Sequence, residues 1–74
     1  MNRPECPFQD ASIGDNNETV KNEFTGEEVM LTPEAVATYD VIKGAEMFGL
    51  WNTVRIGLDW FRKHYPREYM TLLD

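Results

Sequence analysis

The chain has 74 residues, 42% of them apolar and 27% charged, with a net charge of −6 and one cysteine. That is a single small domain, and one thiol excludes the internal disulfides of stapled secreted mini-proteins. The longest unbroken apolar run is three residues, far short of the ~20 that a membrane-spanning helix needs.

The charge is uneven. Residues 1–30 carry seven acids against Arg3 and Lys21, whereas residues 31–74 carry six acids against five bases. Residues 1–22 therefore read as a disordered acidic leader. Pro4, Pro7, Gly14 and Asp15-Asn16-Asn17 break any period, and Phe8 and Ile13 are its only large apolar side chains before Val20. Such a leader repels phosphate backbones, so direct nucleic-acid binding is disfavoured. No apolar stretch follows Met1-Asn2-Arg3-Pro4, which predicts no secretory signal and a cytoplasmic protein.

Residues 23–74 read as the folded domain. Thr25-Gly26 is a turn signal, with Phe24 before it and Val29 and Leu31 after. Two short strands alone are marginal, so residues 23–31 are expected to form an extended strap laid on the helices rather than a hairpin. Thr32-Pro33-Glu34 is a strong helix start: a capping hydroxyl, a preset φ and a carboxylate at the positive end of the dipole. The helix should run to about Phe48 and stop at Gly49, with Ala37, Val41, Ala45 and Phe48 on its core stripe and Ile42 beside it. A second helix, capped by Asn52 or Thr53, should end near His64. Its core stripe is Val54, Leu58, Phe61 and Tyr65, and Arg62, Lys63 and His64 crowd its negative end. Pro66 then starts a third, short helix to about Leu73, whose two leucines tie down the end of the chain. The expected fold is all-α: a helical hairpin with a short C-terminal helix, a strap and a leader.

Little here supports catalysis. A nucleophile needs a base within reach, yet Ser12 and Cys6 lie in the leader and the one imidazole, His64, ends the second helix. A structural zinc site wants four N or S ligands, and Cys6 and His64 are the only two. A calcium loop starting at Asp15 would need Gly at its sixth position and Glu at its twelfth, where Val20 and Gly26 stand. No enzyme, metal or cofactor is predicted. Arg55 and Arg62 share one flank of the second helix with Asp59. Together with Arg67 they are the only candidates for a weak anion contact, which two copies of the flank would have to complete. Aromatic and apolar residues exceed what one helical hairpin buries. Trp51 in the turn, Ile56 and Trp60 off the core stripe, and Tyr69 on the third helix are therefore the predicted interface residues. About 44 residues from Leu31 onward is also close to the least that makes a self-sufficient core, which points the same way.

The pattern Asn22-x-Phe24-Thr25-Gly26, Leu31-Thr32-Pro33-Glu34, Tyr39-Asp40-x-Ile42-x-Gly44, Trp60-Phe61 and Tyr65-Pro66-x-Glu68-Tyr69-Met70-x-Leu72-Leu73-Asp74 resembles short uncharacterised proteins of tailed bacteriophages, marine ones especially. The resemblance covers residues 22–74 and carries no activity, cofactor or site residue. It implies a phage protein made in a bacterial cytoplasm. The expected function is non-catalytic binding, to a second copy and to a host or phage protein. Three alternatives are a small-ligand or signalling-nucleotide binder at an oligomer seam, a virion or assembly component, and a nucleic-acid mimic. The last is disfavoured by irregularly spaced acids in the leader.

Overall fold

The structure is a computed structural model and describes residues 3–74. In chain order it has two strands, β1 (Glu18–Lys21) and β2 (Glu28–Leu31), and three helices, α1 (Pro33–Met47), α2 (Trp51–His64) and α3 (Pro66–Leu72). The strands pair antiparallel, Val20 opposite Val29 and Lys21 opposite Glu28. The fold is therefore mixed, helices plus a β-hairpin, and the all-α expectation is corrected. The boundary drawn after residue 22 falls inside this hairpin, and the predicted strap, residues 23–31, is its loop and second strand. Met1 and Asn2 of the predicted leader lie outside the described residues.

The hairpin exists because it is not alone. β2 lies against α1 and α3, and Leu31 is fully buried. Val20 and Val29, directly opposed, share the helix-facing side with Leu31. Asn22 holds the loop and docks it at once. Its Oδ1 accepts from the amides of Phe24 at 2.8 Å and Thr25 at 3.3 Å, and its Nδ2 donates to the Thr71 carbonyl at 2.7 Å. Gly26 closes the loop at φ +80°, a conformation a side chain disfavours.

Helix 1 starts as its residues dictate. Thr32 Oγ1 accepts from the Ala35 amide at 3.2 Å, and Pro33 takes the first helical position. It ends in a Schellman turn: the Leu50 amide reaches the Ala45 carbonyl at 2.9 Å and the Gly49 amide the Glu46 carbonyl at 3.3 Å, with Gly49 at φ +68°. This turn runs directly into α2, so neither Asn52 nor Thr53 caps that helix. Leu50 takes the capping position without a side-chain bond. Tyr65 separates α2 from α3, and Pro66 opens the latter.

The core joins Leu31, Ala35, Ile42, Ala45, Val54, Trp60, Phe61 and Leu72. The buried residues of α1 are Pro33, Ala35, Ala37, Thr38, Ile42 and Ala45, so the predicted Ala37, Ala45 and Ile42 hold and the other two stripe positions are corrected. Val41 is half-buried and Phe48 is 78% exposed. α1 and α2 meet at Gly57, where a Cβ would lie 2.7 Å from Ile42 Cδ1 and closer still to its Cγ1. Residues 3–8 run across the helical hairpin. The Trp60 indole donates to the Glu5 carbonyl at 2.7 Å, Cys6 Sγ lies 3.2 Å from Thr38 Oγ1, and Phe8 approaches Gly57. Arg3 pairs with Glu34: its Nη2 donates to Oε2 at 3.4 Å, and its Nε sits 3.1 Å from Oε1.

Candidate interaction surface

The four predicted interface residues do not form one surface. Trp51 is 65% exposed at the first turn of α2. Ile56 is exposed as well, but five residues further along a helix lie about 140° around its axis, on a different side. Trp60 is only 8% exposed. It belongs to the core, covered by the chain at Glu5 and stacked edge-on to Phe61 at 5.2 Å between ring centres. Tyr69 is half-buried on α3, with the Arg62 guanidinium 5.5 Å from its ring centre.

The structure instead gathers a patch around the α1–α2 turn. Met47, Phe48, Leu50 and Trp51 are all exposed, four large apolar side chains within five residues. The Schellman geometry explains why. The tight turn leaves the last residue of α1, the capping residue and the first residue of α2 outside the helix contact, and Trp51 folds its indole towards Gly49. Phe24, at the hairpin tip, is also exposed, and it shares with Met47 a depression of roughly 470 Å3. A second depression of roughly 480 Å3 continues along α1, and both are walled by Lys21, Glu23 and Tyr39. Met47, Phe48, Leu50 and Phe24 were missed in the sequence. Their signal was Phe48-Gly49-Leu50-Trp51 itself: a glycine-stopped turn between two helices buries little, so three large apolar residues around it are in excess.

Comparison with protein-family models, with curated proteins and with solved structures finds no match for this chain.

The three candidate anion-binding arginines, Arg55, Arg62 and Arg67, are all exposed. Arg62 forms an ion pair with Asp59, and that hydrogen bond, with the carboxylate's charge, raises its pKa above the ordinary value. None of the three lines either depression along α1. His64 is half-buried with its ring 5.4 Å from that of Trp60. Thr38, wholly buried, donates to the Glu34 carbonyl at 2.8 Å, which leaves its oxygen to accept from the Cys6 thiol. Among the described residues no three of His, Cys, Asp and Glu come together as metal ligands, and no helix is long and apolar enough to cross a membrane.

Proposed function

We propose that this chain is a non-catalytic protein-binding module that docks through the turn between α1 and α2, on a second copy of itself and on a host or phage protein. One observation carries the reading: Met47, Phe48, Leu50 and Trp51, four large apolar side chains within five consecutive residues at one turn, are all exposed on a very small domain. Scattered apolar residues on a surface are ordinary, but a local cluster with two aromatics is the composition of an interface centre. The resemblance to small proteins of tailed phages supports a partner in a bacterial cytoplasm. An assembly role would use the same surface. The nucleotide-binding alternative is not favoured, because Arg62 is engaged by Asp59 and lies over Tyr69.

The test is sedimentation of the wild type over a wide concentration range, beside a Phe48→Ser, Trp51→Ser variant. The expected result is concentration-dependent association in the wild type that the double variant loses at unchanged helicity. A purified partner, once found, should likewise lose affinity. A wild type that stays monomeric, with a double variant that keeps the phenotype of the intact protein in a bacterial host, refutes the reading.

A further inference from the structure

A two-stranded sheet has two edges, and that of β1 is open. The Asn22 amide bonds the Glu27 carbonyl at 2.8 Å, which fixes the phase of the ladder. Opposed residues in an antiparallel pair alternate between those that exchange backbone bonds and those that do not. With Asn22 opposite Glu27 bonded, Val20 and Glu18 bond to β2, and the amides and carbonyls of Thr19 and Lys21 point away from it. Those four groups have no backbone partner among the described residues outside the strand pair.

Beside this edge lies the 480 Å3 depression, walled on the α1 side by Val36 and Tyr39. Glu18, Glu23 and Asp40 stand around it against Lys21 alone, and none of these carboxylates has an ion-pair partner among the described residues. We propose that this edge receives an extended, basic segment of another protein as a third, antiparallel strand. Thr19 and Lys21 each exchange two backbone bonds with it. The segment residue opposite Val20 points into the depression over Val36 and Tyr39. The inward-pointing positions two places either side meet Glu18 at one end and Glu23 and Asp40 at the other. The recognised pattern is therefore basic, any, apolar, any, basic.

A second copy suits this edge poorly: pairing two β1 strands would set Glu18, Glu23 and Asp40 of one copy beside the same carboxylates of the other, with Lys21 alone on each side to offset them. The proposal stands on the strand edge and does not depend on the α1–α2 turn.

The probe is a capped peptide, Thr-Lys-Thr-Val-Thr-Lys-Thr, titrated into the full 15N-labelled chain. The expected shifts centre on Thr19, Lys21, Val36 and Tyr39, with slowed exchange of the Thr19 and Lys21 amides. Replacing both lysines of the peptide by glutamate, or Asp40→Lys in the protein, should weaken binding at least tenfold. N-methylation of the two threonines flanking the valine should abolish it. So should Thr19→Pro, which removes an outward N–H and leaves the bonds to β2, as retained protection of the Val29 amide would show. Four results overturn the proposal: no binding at millimolar peptide, binding indifferent to N-methylation and to Thr19→Pro, shifts centred on Phe48 and Trp51, or a protein dimer that Thr19→Pro dissolves.

Discussion

Two glycines inside helices should respond to alanine with opposite signs. Gly44 in α1 has open space where its Cβ would be. Gly44→Ala should therefore show the bare helix-propensity gain, up to about 1 kcal/mol. Gly57 in α2 has the same propensity to gain. Its Cβ, however, would lie 2.7 Å from Ile42 Cδ1 and nearer to Cγ1, against the ~3.5–4.0 Å of an ordinary carbon contact. Ile42 is wholly buried and cannot swing into water, so the helices must separate or Ile42 must leave its rotamer. Overpacking of this kind costs about 1–3 kcal/mol, and a displacement above 1 Å belongs at the upper end. The net loss is about 2 kcal/mol, out of the ~4–11 kcal/mol expected for a chain of this length. In melting temperature that is a fall of roughly 8–16 °C for Gly57→Ala and a rise of about 4–8 °C for Gly44→Ala. Urea and thermal denaturation followed by circular dichroism measure both. Introducing Ile42→Val removes Cδ1 and should relieve part of the Gly57→Ala penalty, with a coupling of about 0.5–1 kcal/mol. If Gly57→Ala is as stable as the wild type, the close helix approach is not a constraint and the reasoning fails.

Thr32→Ala removes the oxygen that accepts the Ala35 amide and should cost about 0.5–2 kcal/mol; an unchanged melting curve would mean the cap is idle. Asn22→Asp keeps the acceptor for the Phe24 and Thr25 amides but sets a carboxylate against the Thr71 carbonyl. It should preserve the loop, destabilise by about 1–3 kcal/mol and expose α3 to faster amide exchange. Trp60→Ala should cost about 3–5 kcal/mol as a core deletion, whereas Trp51→Ala should change stability by less than about 0.5 kcal/mol, separable in a single denaturation series.

The helices were legible because their signals are local. Thr32-Pro33-Glu34, Gly49 and Pro66 act within one turn of chain, and each sits where its chemistry requires. The hairpin was not legible because its first strand holds a single large apolar residue, Val20, within an acidic stretch. Its stability comes from contacts that no window contains, Asn22 to Thr71 and Leu31 to the helices. Trp60 was misplaced for the same reason. Its indole finds its partner 55 residues away, in a segment whose composition reads as solvated. Phe48 was misplaced by periodicity. A helical stripe extrapolated to the last residue ignores that a Schellman turn rotates the chain out of the helix contact before that residue is covered.

The bonds from Glu5 to Trp60 and from Asn22 to Thr71 span 55 and 49 residues, so the earliest part of the chain is fastened to the latest. During synthesis, at about 5–20 residues per second, α1 and α2 can form as soon as they emerge, since their contacts are local. The leader can settle across α1 and α2 once Trp60 is out, but the hairpin loop lacks its anchor at Thr71 until α3 has left the ribosome. Between the emergence of β2 and that of α3 lie about 40 residues, roughly 2–8 seconds of translation, during which the nascent chain exposes the inner face of both strands. Whatever engages the protein in that interval meets a different surface from the one the finished fold presents.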